Sequence, residues 1–274
     1  MKIQYISDIY LNLHKNIRFE DLITPNAEYL ILNGNIGECN SEIFVRFLKW
    51  CKERWKSVFF VAGNWEFRTG EGMTDTKKMI ESICKENDIE FLDRKSIVIN
   101  GIKIIGTTLW SYININDDLI VNSCYQYITD FRNIPMTIRE RNEIFRQDVE
   151  FIYDEVKNSE GCPIVLITHY APREECVNPN YTNSYVIFSF YTDLTYIIDE
   201  LPEKSVWIYG HTHYNNDFHI NGKRLLTNQY GYEQRSLSNY TNDKTIVIDE
   251  NNENNEYDVR SFYKDYNFKE DYFE

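Results

Sequence analysis

One strand-like segment near residue 210 constrains the fold more than any other part of the chain. Residues 206–209 are apolar or aromatic and run directly into Gly-His-Thr-His at 210–213. A run that is apolar on both faces predicts a strand buried inside a sheet, and Gly210 would permit a sharp turn at its end. Two histidines two positions apart in an extended segment would project to the same side. Since neutral imidazole is a common metal ligand, His211 and His213 are candidate ligands; a surface loop with two histidines is the alternative.

Four other strand-like runs end in similar polar residues. They cover 2–7, 29–33, 57–62 and 163–168, and they lead to Asp8, Asn35, Asn64 and His169. Helical patterns at 41–55, behind a Ser cap, and at 74–87 separate the early strands. This alternation predicts parallel pairing with right-handed crossovers, and ligands of such sheets bind beyond the carboxyl ends of the strands. Asp8, Asn35 and Asn64 are therefore expected to lie close together.

The rest of the chain mixes hairpins with helices. Asn-Gly pairs at 100–101 and 221–222, each between apolar runs, predict two β-hairpins. Residues 111–137 are polar and aromatic without a clear period, which suggests a long ordered excursion near the site. We expect helices at 137–156 and 192–200 and a last strand at 245–249.

Composition limits the function classes. The chain has 274 residues, 42% of them hydrophobic, so we expect a folded domain rather than disorder. A net charge of -14 argues against nucleic acid or an anionic membrane as a partner. Six scattered cysteines, without a signal-like start or a membrane-length apolar run, predict free thiols in a reducing, cytoplasmic compartment.

Two regions follow from the same composition. Residues 1–250 are expected to form one domain, and 251–274 an acidic, aromatic tail that packs on that domain or on a partner. If the tail packs on a partner, that partner could be a second copy of this chain, in a homodimer.

The motifs at the strand ends resemble those of the calcineurin-like metallophosphoesterases, especially the small cytosolic members. That family's pattern is Asp-x-His, Gly-Asp, Gly-Asn-His-Glu, a His before a small residue and Pro, and Gly-His-x-His. The corresponding segments here lie at 7–10 (Ser-Asp-Ile-Tyr), 34–35 (Gly-Asn), 63–66 (Gly-Asn-Trp-Glu), 168–172 (Thr-His-Tyr-Ala-Pro) and 210–213. The resemblance implies an α/β fold, a four-layer α/β/β/α sandwich of two mixed sheets flanked by helices. It also implies two divalent ions, usually Mn, Fe, Zn or Ni, ~3.5–4 Å apart, which clamp a phosphate ester for hydrolysis.

Three positions depart from that pattern. Tyr10 stands where the family has a metal-binding His, and a phenol with a pKa of about 10 is a poor ligand at neutral pH. Asn35 replaces the bridging Asp, whose negative charge would offset the repulsion between two dications. Trp65 replaces the His that would protonate the leaving group, and an indole cannot transfer a proton at useful pH.

Carried over residue by residue, the resemblance leaves two unequal metal sites. One keeps only Asp8 and His213, while the other keeps Asn64, His169 and His211, with Asn35 as a weak fourth ligand. Three protein ligands suffice for one ion, so the sequence predicts at most one.

The functional prediction follows from these ligand sets. We expect a catalytically weak or inactive homologue with an impaired dinuclear site, retained for binding or scaffolding, with a phosphate ester or a protein as its partner. The alternative is an active enzyme with a single or altered metal that hydrolyses a phosphomonoester or phosphodiester.

Several nearby residues have simpler interpretations. His14 could replace the lost ligand, but a solvated loop histidine is the more ordinary role, and His219 fits a structural place in a strand. Trp65 would fill the space that the missing ligands leave. The carboxylates of Glu38, Glu66 and Asp217 are expected to be solvated or to support the ligands.

Overall fold

Two β-sheets form the centre of the computed structural model, which describes residues 1–14, 16–232 and 237–248. The first sheet has the strand order β11-β1-β2-β3-β4 and the second β5-β6-β7-β8-β10-β9. The strands are β1 (Lys2–Ile6), β2 (Tyr29–Asn33), β3 (Ser57–Val61), β4 (Glu90–Phe91), β5 (Lys95–Ile99), β6 (Ile102–Thr107), β7 (Ile164–Thr168), β8 (Val206–Ile208), β9 (Asp217–Ile220), β10 (Lys223–Leu226) and β11 (Thr245–Val247). Strands β1 to β4 are parallel, as are β6, β7, β8 and β10, and antiparallel strands complete both sheets.

Helices cover the outer faces of both sheets. The helices in the described residues are α1 (Phe19–Leu22), α2 (Glu42–Lys52), α3 (Met73–Glu86), α4 (Asp118–Tyr127), α5 (Asp130–Asn133), α6 (Ile138–Lys157) and α7 (Thr195–Glu200). Helices α2 and α3 bury Phe44, Phe47 and Ile80 in the core on the first sheet. Helices α6 and α7 bury Ile152 and Ile197 in the core on the second. A third core, between the sheets, completes the predicted four-layer sandwich of two mixed sheets.

The two Asn-Gly hairpins are confirmed. Asn100 and Gly101, between β5 and β6, have φ values of 51° and 71°, and Asn221 and Gly222, between β9 and β10, have 50° and 77°. Positive φ at both central residues is the type I′ turn, whose twist matches that of the flanking strands.

Residues 111–137 contain helices that the sequence pattern did not reveal. Helices α4 and α5 lie in this excursion, and α4 buries only Ile120 and Cys124. A helix with so few buried positions and exposed Leu119, Tyr125 and Tyr127 shows no clean hydrophobic period.

The predictions about the cysteines and the C-terminal tail have different outcomes. All six cysteines are free, as predicted. In the part of the chain that the structure describes, no helix has the length and apolar character needed to cross a membrane. The predicted boundary at residue 250 and the tail 251–274 lie outside the described residues.

Side chains and backbone join the two sheets where their parallel strands end. The Asn33 amide Nδ2, at the end of β2, donates to the Thr168 carbonyl at the end of β7 at 2.9 Å. His169 Nδ1 lies 2.9 Å from the Asn33 carbonyl and donates to it. Thr108 Oγ1 donates to the Ala62 carbonyl at 2.9 Å. The carboxyl ends of both sheets therefore meet in one place, and the polar residues that follow them are brought together.

The N-terminal caps of α6 and α2 provide a direct test of local structure. Thr137 caps α6 in a full capping box with Glu140, whereas Ser41 occupies the capping position of α2 but its hydroxyl donates backward to the Glu38 carbonyl. The predicted Ser cap is thus correct in position but lacks the capping bond. Thr137→Ala should lower the free energy of unfolding by about 1 kcal/mol in urea titrations, and Ser41→Ala by clearly less. Equal losses would contradict this assignment.

Candidate functional site

The predicted site residues converge at the junction of the two sheets. Asp8, Asn35 and Asn64 follow β1, β2 and β3, and they are 0–3% exposed. The first sheet thus supplies one wall of the site. His169 follows β7, and His211 lies just beyond β8; both are buried as well. The expected proximity of Asp8 and Asn35 is confirmed by a 3.0 Å hydrogen bond between their side chains.

The backbone at the site lies in an unusual conformation. Five site residues that are not glycine have φ between 52° and 65°, the left-handed region: Asp8, Tyr10, Asn35, His211 and His213. Side chains with a Cβ seldom adopt this region, and such strain is concentrated at functional sites. The expectation that residues 211–213 are extended was wrong. The two histidines consequently face different neighbours, since His213 contacts Tyr10 and His211 packs near His169.

Two glycines allow the wall residues to approach each other. A Cβ on Gly210 would lie 2.9 Å from Asp8 Oδ2 and from Ser7 Oγ, and a Cβ on Gly63 would lie 2.5 Å from Asn35 Oδ1. Neither residue has a positive φ. Gly210 is therefore required by close packing, rather than by the sharp turn that the sequence suggested.

Four side chains bind one another around the first metal position and the bridging position beside it, and we call them the first half-site: Asp8, Tyr10, Asn35 and His213. The Tyr10 hydroxyl lies 3.0 Å from Asp8 Oδ1, 2.8 Å from His213 Nε2 and 3.0 Å from Asn35 Nδ2. The other carboxylate oxygen of Asp8 accepts from Ser7 Oγ and from the His211 backbone N–H. Burial raises the pKa of Tyr10 well above its ordinary value, so the phenol stays protonated.

Asn35 is oriented by its own hydrogen bonds. Its Oδ1 accepts from the Trp65 backbone N–H at 2.9 Å, while Nδ2 donates to Asp8 and to Tyr10. The side chain therefore turns an N–H2 group, which cannot bind a cation, toward the first half-site.

Glu66 anchors both loops that carry the amide residues. Its Oε2 accepts from the backbone N–H groups of Asn35 and Gly63, and its Oε1 from those of Ile36 and Gly37. The side chain is fully buried, so of the two roles expected for it, the supporting one is correct and the solvated one is not. Burial raises its pKa from 4.5 to about 7, against the opposing effect of the four N–H groups.

The second half-site consists of Asn64, His169 and His211. His169 Nδ1 donates to the Asn33 carbonyl, and burial lowers the pKa of His169, so its Nε2 carries a lone pair. That lone pair faces Asn64 Oδ1 at 3.3 Å. Two acceptors that face each other have no proton to share, and such an arrangement suits a cation.

His211 adds to this half-site a ring nitrogen that could bind a metal ion and makes no hydrogen bond. Its Nδ1 is buried without a hydrogen-bond partner, and its ring centroid lies 5.1 Å from that of His169. Burial and the neighbouring histidines lower its pKa well below the ordinary value, so the ring is neutral. The rings of Tyr170 and Phe190 pack against it, at 4.1 Å and 5.0 Å between centroids.

Asp130 supports the second half-site from the excursion at 111–137. Asp130 Oδ1 accepts from Asn64 Nδ2 and from Arg68, both at 2.8 Å. These bonds turn Asn64 Oδ1 toward His169. Nothing in the sequence pattern pointed to Asp130, because this residue lies in a segment without hydrophobic periodicity. Tertiary folding brings that segment to the site, where the sequence analysis expected the excursion to lie.

Aromatic rings cover the first half-site. Tyr10 stacks on Tyr232 at 4.4 Å and meets the edge of Trp65 at 4.8 Å between centroids. Trp65 is half-buried, and the Arg68 guanidinium lies over its ring at 4.2 Å. Trp65 therefore packs at the rim of the site, beside Tyr10, rather than in its interior.

The remaining candidates lie outside the two half-sites. His14 Nε2 lies 2.8 Å from the Ile9 carbonyl, so His14 is bound to its own loop, neither solvated nor available as a replacement ligand. Asp217 pairs with Arg224 in the β9–β10 hairpin, and His219 lies in β9. Glu38 is partly exposed.

The two half-sites differ in their fit to a metal ion. In the first, the donors and acceptors around Tyr10 are matched to one another, so the residues do not fit an ion. In the second, the unpartnered His211 Nδ1 and the facing atoms of His169 and Asn64 do fit one. Within residues 1–14, 16–232 and 237–248, no three His, Cys, Asp or Glu side chains form a metal cluster; the third ligand here is an amide.

Replacement of Glu66 should change both stability and its pH dependence. A carboxyl whose folded pKa lies above its unfolded value stabilises most below about pH 4.5, and this contribution is lost as pH rises toward about 7. Glu66→Gln cannot accept four N–H groups and should cost about 3 kcal/mol at pH 5. The difference from wild type should shrink between pH 5 and 7. Urea unfolding at several pH values measures this, and a constant difference would contradict the assignment.

Known proteins resemble this chain in sequence and in fold. The family model described as calcineurin-like phosphoesterase matches residues 1–215. An uncharacterized protein of Acanthamoeba polyphaga mimivirus, L509, is 27% identical over 260 residues, which cover 84% of this chain and 91% of that protein. The crystal structure of phosphopantetheinyl hydrolase (PptH) from Mycobacterium tuberculosis superposes with a TM-score of 0.69 at 18% identity, covering 84% of this chain and 89% of that one. The last similarity concerns the fold alone.

Proposed function

Because this chain belongs to the calcineurin-like phosphoesterase family, we propose that it is a member with an impaired dinuclear site, catalytically weak or inactive, retained for binding. Its ligand would be a phosphate ester or a protein partner. At most one divalent ion (Mn, Fe, Zn or Ni) would bind, at the second half-site.

The orientation of Asn35 carries this proposal. Two dications at short separation repel each other strongly, and an anionic oxygen between them is needed to offset that repulsion. Asn35 is neutral, its oxygen is engaged by the Trp65 N–H, and its N–H2 group points at Asp8 and Tyr10. The position between the half-sites thus presents a partial positive charge. This arrangement disfavours a closely spaced, bridged pair of ions, which is the form that a dinuclear enzyme needs.

Loss of proton transfer supports the same proposal. The indole of Trp65 donates a hydrogen bond at most, so it cannot protonate a leaving group, a function that contributes ~10²–10⁴-fold to rates. The Arg68 guanidinium lies over the indole ring. That guanidinium is paired with Asp130 at 2.8 Å and stays protonated, so it does not replace the lost proton donor.

The second half-site would hold the ion through His169 Nε2, His211 Nδ1 and Asn64 Oδ1. A divalent ion there supplies a Lewis acid that polarises a phosphoryl oxygen. Asp130 keeps the Asn64 oxygen directed inward, and the Asn33 carbonyl fixes the His169 ring so that Nε2 presents its lone pair.

A second candidate function is favoured by the unpartnered His211 Nδ1. A buried imidazole nitrogen without a partner is costly unless something binds it. If that ligand is a metal ion, the chain could be a single-metal phosphoesterase that acts on a phosphomonoester or phosphodiester.

Metal content separates these alternatives from a functional dinuclear enzyme. Elemental analysis after dialysis against Mn²⁺ or Zn²⁺ should give no more than about one ion per chain, because only one half-site has open donors. His211→Ala should abolish that binding. His219→Ala, an exposed histidine in β9, is the matched control and should leave it unchanged. Two ions per wild-type chain would refute the proposal.

Activity should return only when all three departures are reversed. The variant Tyr10→His, Asn35→Asp, Trp65→His regains a terminal ligand, a bridging anion and a proton donor together. Because residues of one catalytic unit act non-additively, the triple variant should hydrolyse an aryl phosphate or phosphodiester at least ~10²-fold faster than wild type or any single variant. Circular dichroism must first show that it folds, since losing a packed Trp can cost about 3–5 kcal/mol. Wild-type turnover equal to that of the triple variant would contradict the impaired-site reading.

A further inference from the structure

We infer that the Tyr10 hydroxyl permanently occupies the first half-site in place of a metal ion, and that this residue, more than the neutral Asn35, excludes the ion. The inference rests on the proposed function, because it explains why only the second half-site remains open. Tyr10 would thus stabilise the first half-site and also keep a metal ion out of it.

The hydroxyl lies where it can contact three side chains of the half-site at once. Its distances to Asp8 Oδ1, His213 Nε2 and Asn35 Nδ2 are 3.0, 2.8 and 3.0 Å. A metal ion binds such atoms at ~2.0–2.2 Å. An ion shared by Asp8 and His213 would have to lie between them, in the volume that the phenol oxygen fills. Hydroxyl and ion therefore compete for one position.

The protons around the hydroxyl form a complete set. Tyr10 has one O–H and can accept two further hydrogen bonds. If its O–H donates to Asp8, then His213 Nε2–H and Asn35 Nδ2–H both donate to the phenol oxygen, and each atom has a partner. His213 then has no lone pair at Nε2 for a metal.

The second half-site has no such complete set of hydrogen bonds, and this difference indicates which group keeps an ion out of the first. Its His211 Nδ1 has no partner, and the acceptors of His169 and Asn64 face each other without a proton. Asn35 also lies near the second half-site, since a Cβ on Gly63 would be 2.5 Å from Asn35 Oδ1 and 2.7 Å from His169 Cε1. What distinguishes the first half-site is the phenol.

Packing prevents the phenol from leaving. Tyr10 is fully buried, with Tyr232 stacked on its ring and the edge of Trp65 against it. Its backbone has φ of 54°, so the direction of its side chain is fixed by a left-handed turn. Rotation of the ring out of the half-site would have to displace both aromatic neighbours.

This role of Tyr10 and the loss of the bridging negative charge at position 35 predict different metal contents for two single variants. If the missing bridging anion were the barrier, Asn35→Asp alone would admit a second ion. If the phenol is the barrier, Asn35→Asp leaves the position filled and Tyr10→His opens it, with Asp8 and His213 regained as ligands beside the new imidazole.

The test compares these two single variants and wild type by equilibrium dialysis against Mn²⁺ or Zn²⁺ and elemental analysis. We expect Tyr10→His to bind about one equivalent more than wild type, and Asn35→Asp to bind the same as wild type. An added equivalent in Asn35→Asp, or none in folded Tyr10→His, would overturn the inference. Two equivalents on wild type would instead refute the proposed function itself, so the two failures are distinguishable.

A second pair of variants covers the case in which Tyr10→His fails to fold. Tyr10→Asn suits the left-handed backbone and removes the phenol, so it should also gain an equivalent, and a folded Asn variant without a gain would overturn the inference. Tyr10→Phe keeps the ring but loses the hydrogen bonds. In chelator its melting temperature should fall by roughly 5 °C or more. A Phe variant as stable as wild type would show that the hydroxyl does not hold the half-site together.

Discussion

The close contact between the carboxyl ends of the two sheets is the constraint on which the site depends. The Asn33 side chain donates to the Thr168 carbonyl, and the Asn33 carbonyl accepts from His169. Because Gly63 and Gly210 carry no Cβ, the loops beyond the strands can approach within contact distance. A residue of any other type at Gly210 would push Asp8 out of place. The same packing that joins the sheets therefore fixes the side chains at the site.

The two halves of the site differ in their hydrogen bonding. Around Tyr10, each proton has an acceptor and each acceptor a proton, so the network is complete without a metal ion. Around His211, a lone pair is unused and two acceptors face each other. Buried polar groups are costly when unpaired. In the function proposed above, the first half is a structural element of the fold and the second half is the binding site.

The sequence predicted the architecture well, because buried parallel strands and Asn-Gly turns depend on local patterns. It also placed the candidate ligands on the correct strand ends. It could not predict how Asn35 is rotated, since both ends of an amide look alike in a sequence and only the Trp65 N–H and Asp8 decide. Asp130 and the four bonds of Glu66 were equally invisible, because their partners come together only through tertiary folding. The left-handed conformations of His211 and His213 were not predictable either, because residues other than glycine seldom adopt them.

A crystal structure of wild-type protein soaked in Mn²⁺, with anomalous scattering recorded, tests the central claim most directly. We predict one anomalous peak, bounded by Asn64, His169 and His211, and unchanged hydrogen bonds from the Tyr10 hydroxyl to Asp8 and His213. Two fully occupied peaks, with the Tyr10 ring displaced from the first half-site, would contradict the account.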